Sequence, residues 1–372
     1  MIRLAQVIAT FEADFLAQYR ERLTAQHLRA LAAIKQCRSH ASPRMQVHCS
    51  QCDHQRLVPH SCGHRHCPHC QHHESQQWLE RQLQRQLPAQ YFLLTFTMPA
   101  EFRALAWAHQ DVLYDALMRC AWHTLATFTR NDRQLQGSAG AIAVLHTHTR
   151  RLDYHPHVHL IMPAGAIDAE RKCWRTKRHG RSKGRYLFSH KALAKVFRAK
   201  MLAAIEAAGL APPDRQPSAW VVDCKAVGSG AGALVYLGRY LYRGVISERD
   251  ILACAQGEVS FRYRDAKSGR AERRTVPGAH FLWLVLQHVL PKGFHRARNF
   301  GFLHPNSKRL IGLLQLMLKF IPARAPVAIK QRPPILCPCC GAPMVIVKTR
   351  LPACFAAGAS PPICVTAGAP TM

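Results

Sequence analysis

Two short segments carry the residue types best suited to chemistry: His155-Pro156-His157-Val158-His159 and, further along, Tyr236-Leu237-Gly238-Arg239-Tyr240. On a β-strand, residues two apart share a face, so the alternation with Pro156 and Val158 turns all three imidazoles the same way. Neutral imidazole binds many divalent ions, and a catalytic ion keeps positions open for a phosphate oxygen and water. A lone histidine is more often a satisfied core residue. Three on one face, with His146 and His148 on a neighbouring apolar run, are hard to explain as packing. A zinc-hydrolase reading stays open on these residues alone. Tyr236 and Tyr240 lie on one face of a helix, separated by about 6 Å of rise. An isolated pair of this spacing would be core packing. Here Gly228-Ser229-Gly230-Ala231-Gly232 lets backbone approach a nucleic-acid strand, while Arg239 and Arg243 can clamp phosphate. Tyr242 lies on another face and reads as packing or contact. A metal beside a tyrosine oxygen can cut a phosphodiester and keep one end attached to the enzyme.

The composition fits such a substrate. The 372 residues include 51 Lys+Arg against 21 Asp+Glu, a formal charge of +30. This imbalance implies a polyanionic partner. DNA or RNA is favoured over a membrane, because no apolar run reaches spanning length and the basic residues are dispersed. Met1 to Ala13 does not read as a secretory signal. With C-x-x-C spacing, the 15 cysteines point to metal-bound thiolates in a reducing cytoplasm rather than disulfides. Cys49 and Cys52, then Cys67 and Cys70, form two knuckles expected to share one structural Zn²⁺ in a ribbon. Between them, Cys62, His60, His64 or His66 could replace a thiolate or bind a second ion. Cys337-Pro338-Cys339-Cys340-Gly341 is half a site, to be completed by Cys354 and Cys364 or left as a remnant.

Periodicity places these residues on mixed elements. An amphipathic helix runs to about residue 40 through Ile8, Phe11, Phe15, Tyr19, Leu23, Leu28, Leu31 and Ile34. Helices are also expected over about 73–86, 101–129, 189–208, 232–241, 279–289 and 308–320. Strands are expected over 91–98, 141–148, 154–162 and 219–227, with a hairpin of 259–263 and 272–276 around Lys267-Ser268-Gly269. Residues 171–185 read as a basic loop, 322–334 as a Pro-rich linker and the tail after Lys348 as loosely attached. The chain is thus α+β. Its expected domains are an N-terminal helix and zinc ribbon (1–90), a nuclease domain with a central, mainly antiparallel sheet (91–320), and a linker, cysteine knuckle and tail (321–372).

Taken together, these blocks resemble the two-tyrosine HUH transposases, bacterial insertion-sequence enzymes associated with a rolling-circle route. The resemblance covers roughly residues 15–347. It rests on Ser61 to Cys70, Tyr154 to His159, Tyr236 to Tyr240, and His288-Val289-Leu290-Pro291-Lys292-Gly293-Phe294. It implies an HUH palm in which His157 and His159 hold Mg²⁺ or Mn²⁺ and Tyr236 and Tyr240 are nucleophiles. Relatives tend to carry Gln where this chain has Arg150, so His148 is expected as the third ligand, with His146 and His155 as rivals. Relatives also often carry His at the position of Tyr242. The implied activity is cutting and rejoining single-stranded DNA at mobile-element ends through a 5′-phosphotyrosine, in a bacterial cytoplasm with the nucleoid. Basic residues of 171–185 and 262–274 are candidates for backbone contact. A plasmid replication initiator or relaxase would share this chemistry. A non-catalytic zinc-dependent DNA-binding protein would share only the composition.

Overall fold

The computed structural model describes residues 1–39, 41–70, 72–177, 187–242, 244–265, 268–322 and 334–351. Arg243, Lys267, Cys354, Cys364, most of the 322–334 linker and the basic segment 178–185 lie outside the described residues.

Helix α1 (Leu4–Tyr19) buries the expected stripe of Ile8, Phe11, Phe15 and Tyr19. The stripe does not continue as one helix. A 3-10 turn over Arg20–Arg22 and extended backbone at Leu23 and Thr24 interrupt it before α2 (Ala25–Gln36). The interruption changes the helical phase, so Leu28 is exposed while Leu31 and Ile34 remain buried. The Thr24 N–H donates to His27 Nδ1 at 3.0 Å, closing a capping box at the start of α2. A hairpin of β1 (Arg44–His48) and β2 (Gln55–Pro59) leads to α3 (His72–Leu83).

The central domain begins with β3 (Tyr91–Thr97). The single helix expected over 101–129 is instead α4 (Arg103–Ala108) and α5 (Gln110–Asn131), parted at His109, whose backbone leaves the helical region. Then come β4 (Gly140–His148), β5 (Tyr154–Pro163) and a small hairpin of β6 (Gly165–Asp168) and β7 (Cys173–Thr176). Helix α6 (His190–Ala207) starts at Ser189, whose hydroxyl accepts the Ala192 N–H. Strand β8 (Val222–Ala226) precedes α7 (Ala231–Tyr242). A three-stranded sheet of β9 (Ile251–Ala255), β10 (Glu258–Arg264) and β11 (Ala271–Pro277) follows, then α8 (Gly278–Leu286), β12 (Ala297–Gly301), α9 (Lys308–Met317) and β13 (Val345–Leu351). The short strands β7, β9, β12 and β13 lack a clean alternating apolar pattern.

The five-stranded sheet is antiparallel throughout, in the order β12-β4-β5-β3-β8. The histidine strand is therefore its middle strand. Side chains alternate between two cores. Phe92, Leu94, Phe96, Ala141, Ala143, Leu145, Val158 and Leu160 share one core with residues of α5 and α6. Tyr91, Ile142, Val144 and Ile161 share the other with Trp78 and Leu79 of α3 and with Leu234, Leu237 and Leu241 of α7. Residues 345–351, the described part of the expected tail and its approach, are a strand: β13 pairs with β1, giving a sheet of order β13-β1-β2. Among the described residues, no helix is long and apolar enough to cross a membrane.

His27 is buried and its pKa is held down to about 4 by that burial. Between its unfolded value of about 6.5 and about 4, the unfolded chain binds the extra proton. This contribution to stability is present above about pH 6.5 and is lost as pH falls towards 4. A His27→Gln variant keeps a capping side chain without the titration. Its urea midpoint should therefore fall less steeply than wild type across this pH window; an equal slope would exclude His27 as a cause.

Candidate active site

The site forms where the second face of the central sheet stops being apolar. Along β4, Ile142 and Val144 are followed on that face by His146; along β5, Ile161 is followed by His159 and then His157. His146 sits opposite His157, and Val144 opposite His159. One candidate ligand atom from each of His146, His157 and His159 lies within 4.8 Å of the others. The His157 Nδ1–H donates to the His155 carbonyl at 2.7 Å, leaving Nε2 free for a metal. His159 Nδ1 bonds the Thr95 hydroxyl at 2.8 Å, which orients its ring in the same way. The buried Nε2 of His146 finds no hydrogen-bond partner among the described residues. Burial holds His157 down to about 3, His159 to about 4, and His146 well below the ordinary range. All three rings are thus neutral near pH 7, the state that can bind a metal.

His148, the expected third ligand, does not join this group. The register between β4 and β5 slips by one residue after His146, where His148 pairs with Tyr154. The bulge carries the His148 ring towards Tyr240 and His288, at centroid distances of 5.0 and 5.1 Å. His146, a rival candidate from sequence, is the third histidine of the group. His155 is also outside the group; its Nδ1 accepts from Arg103 at 2.9 Å.

Helix α7 lays both tyrosines against these histidines. Tyr236 is half-exposed, with its ring 6.2 Å from those of His146 and His159. Tyr240 is packed more deeply. Its ring stacks on His146 at 3.3 Å, and its hydroxyl accepts the Thr147 N–H at 3.1 Å. Arg296 lies over the Tyr240 ring, 5.6 Å from its centre. Burial raises the pKa of both tyrosines, more than the nearby arginine charges lower it. Arg239 is exposed on α7, and Arg150 lies close enough for its charge to act on Tyr236.

The cysteines do not group as expected. Cys67 and Cys70 meet Cys37 and Cys62, whereas Cys49 and Cys52 meet Cys337 and Cys340. Cys37 had no spacing signal, since it stands far from any other cysteine in sequence. His60, His64 and His66 belong to neither group. The first group sits inside the core formed by α1, α2 and α8. Its loop is tied to the segment after α8: Arg65 donates to the carbonyls of Leu290, Pro291 and Phe294, and the Leu290 N–H donates to His66 Nε2. Just beyond α7, Gly244 has φ +72°, and a Cβ there would meet the His66 carbonyl at 3.2 Å. Helix α3 then supports α7 directly, with the Ser75 hydroxyl donating to the Gly238 carbonyl at 3.2 Å.

Two family models match the chain: "Putative transposase" over residues 140–310 and "Transposase zinc-binding domain" over residues 7–98. The chain is 33% identical over 323 residues to "Putative transposase y4qJ" of Sinorhizobium fredii (strain NBRC 101917 / NGR234), covering 78% of this chain and 79% of that protein. The chain belongs to the two-tyrosine HUH insertion-sequence transposases. This transposase is also 29% identical over 265 residues to the "Transposase for insertion sequence element IS801" of Pseudomonas savastanoi pv. phaseolicola, across 68% of this chain and 63% of that one. Two solved structures of the conjugative relaxase TrwC are similar to parts of it. The complex with mutant OriT DNA has a TM-score of 0.25 at 16% identity, covering 35% of this chain and 48% of that one. The metal-free complex with OriT DNA has a TM-score of 0.26 at 12% identity, covering 62% and 73%. At TM-scores this low the likeness bears on neither fold nor chemistry.

A metal titration separates the two candidate third ligands. His146→Ala should weaken Mn²⁺ binding, followed by electron paramagnetic resonance, by at least about tenfold, the loss typical of even an outer-shell partner. His148→Ala should leave it nearly unchanged. The reverse result would return His148 to the site.

Proposed function

We propose that this transposase cuts and rejoins single-stranded DNA at the ends of an insertion sequence, by a rolling-circle route with a 5′-phosphotyrosine intermediate. The observation that carries the reading is the convergence of Tyr236 and Tyr240 on the trio His146, His157 and His159. The trio fits a divalent ion: three neutral imidazoles converge, two with their other nitrogen hydrogen-bonded and one with an unsatisfied buried nitrogen. Of Mg²⁺ and Mn²⁺, the latter suits this all-nitrogen set better, because Mg²⁺ favours oxygen ligands and near-ideal octahedral geometry. When bound, the ion supplies Lewis-acid stabilisation of charge on a phosphate oxygen.

Tyr236 is the first nucleophile. Its ring is the accessible one, whereas the Tyr240 hydroxyl is occupied by the Thr147 N–H. The Tyr236 oxygen forms the new bond to phosphorus as the phosphorus–O3′ bond breaks, and the phenolic proton is transferred so that the leaving strand ends in a 3′-hydroxyl. Burial raises the Tyr236 pKa, so its deprotonation requires help within the site. Tyr240 then cuts a second phosphate while Tyr236 still holds the first end. A 3′-hydroxyl attacking the phosphotyrosine restores the phosphodiester without ATP. Arg239 and Arg150 flank Tyr236 and hold the strand by its phosphates, and Arg243 is assigned the same role from its place in sequence.

Protein incubated with Mn²⁺ and a single-stranded oligonucleotide bearing the element end should form an SDS-stable adduct that chelation prevents. Tyr236→Phe should lower first-adduct yield by at least about a hundredfold. Tyr240→Phe should leave that adduct and block the second transfer. An undiminished adduct in the double variant would overturn the nucleophile assignment, and cutting without joining to a target strand would favour an initiator or relaxase. Binding should also weaken steeply between roughly 50 and 200 mM salt, as phosphate neutralisation requires. A flat response in an electrophoretic shift assay would contradict contact through phosphates.

A further inference from the structure

The zinc-binding match ends at residue 98 and leaves Cys49 and Cys52 without partners inside it, since Cys37, Cys62, Cys67 and Cys70 form a complete group of their own. We propose that Cys49, Cys52, Cys337 and Cys340 bind a second Zn²⁺, which clasps the C-terminal segment onto the N-terminal hairpin.

Proximity is the first argument. Cys49 Sγ lies 3.4 Å from Cys340 Sγ, and Cys52 Sγ lies 3.5 Å from Cys337 Sγ, with all four sulfurs within 4.8 Å of one another. A tetrahedral ion with Zn–S near 2.3 Å sets its sulfurs about 3.8 Å apart, within this range. A disulfide would need about 2.0 Å.

The backbone supplies an independent argument. The Cys49 N–H donates to the His54 carbonyl at 2.9 Å, and the Cys337 N–H donates to the Ala342 carbonyl at 2.8 Å. Each bond spans the same number of residues. The residue after each second cysteine is left-handed: Asp53 at φ 55° and Gly341 at φ 73°. The flanking residues also pair alike, His48 with Gln55 and Leu336 with Pro343. Two segments far apart in sequence therefore build the same turn, with both thiols of each turn directed at one point. A disordered remnant of a lost site has no reason to keep this match. The turn holding Cys67 and Cys70 is built differently, with the Cys67 N–H donating to His64 and the Cys70 N–H to Cys67.

The surroundings explain why a metal is needed. Among the described residues, the local core consists of Val47, Val58, Ala342, Met344 and two of the cysteines, with Met45 and Ile335 packed against it. Strand β13 covers β1 but is itself largely exposed. So little buried apolar surface does not hold a module together without a metal or a cross-link.

The test counts zinc in the full-length protein and needs no DNA or cleavage, so it stands apart from the strand-transfer reading. Thiol modification with a mercurial reagent, followed by a colorimetric zinc indicator, should release about one equivalent less from Cys337→Ser/Cys340→Ser than from wild type. Cys49→Ser/Cys52→Ser should lose the same equivalent, and combining the two pairs should lose no more. Full release from the Cys337/Cys340 variant, or a second equivalent lost in the combination, would overturn the shared site. As a check that retains a ligand, Cys340→His loaded with Co²⁺ should keep its metal content while thiolate-to-cobalt absorption falls by roughly one part in eight. An unchanged spectrum would remove Cys340 from the coordination sphere.

Discussion

The helix that carries both tyrosines has to be pressed onto one end of a sheet where apolar side chains give way to imidazoles. That junction constrains the rest of the molecule. Leu234, Leu237 and Leu241 anchor α7 over the apolar part of the face, which leaves Tyr236 and Tyr240 over the histidines. Beyond His146 the ladder slips by one residue, the extra residue lying in β5. The last β4 N–H bonded on the β12 side is that of Leu145, to the Arg296 carbonyl; the next on that side, the Thr147 N–H, is satisfied by the Tyr240 phenol.

The cysteine-rich N-terminal region is part of this support rather than an appendage. One group of thiols lies in the core shared by α1, α2 and α8, and its loop is hydrogen-bonded to residues 290–294. Helix α3, which follows that loop, packs against α7 through Trp78, whose ring a Cβ at Gly238 would approach to 3.3 Å. The block from His288 to Phe294 thereby gains a physical role: the carbonyls of Leu290, Pro291 and Phe294 receive Arg65, and the His288 ring is buried beside His148. Disturbing the cysteine-bearing loop would reach Tyr236 and Tyr240 through a short chain of packed side chains.

Much of this was legible in the sequence because it depends on local period. The hairpin bearing the histidines, the tyrosine helix and the division of Ile142, Val144 and His146 from Ala141, Ala143 and Leu145 all follow from alternation or helical spacing. What was illegible depended on register and long-range closure. Nothing in the residue types of His146 and His148 reveals a one-residue slip between strands. Two C-x-x-C pairs close in sequence suggest one ion, yet the β-hairpin carries the first pair away from the second and towards a partner near the other end of the chain. Cys37 and Thr95 carry no motif at all and acquire their roles only by where the chain folds back.

The pairing of β1 with β13 has a consequence for how the molecule comes into being. Residues 44–48 are synthesised early, but the strand that completes their sheet is not available until residues 345–351 have left the ribosome. The β1–β2 hairpin thus reaches its final form only after a strand far downstream has been made. A copy of the gene interrupted before that strand would yield a protein with its central sheet intact and its opening module unfinished.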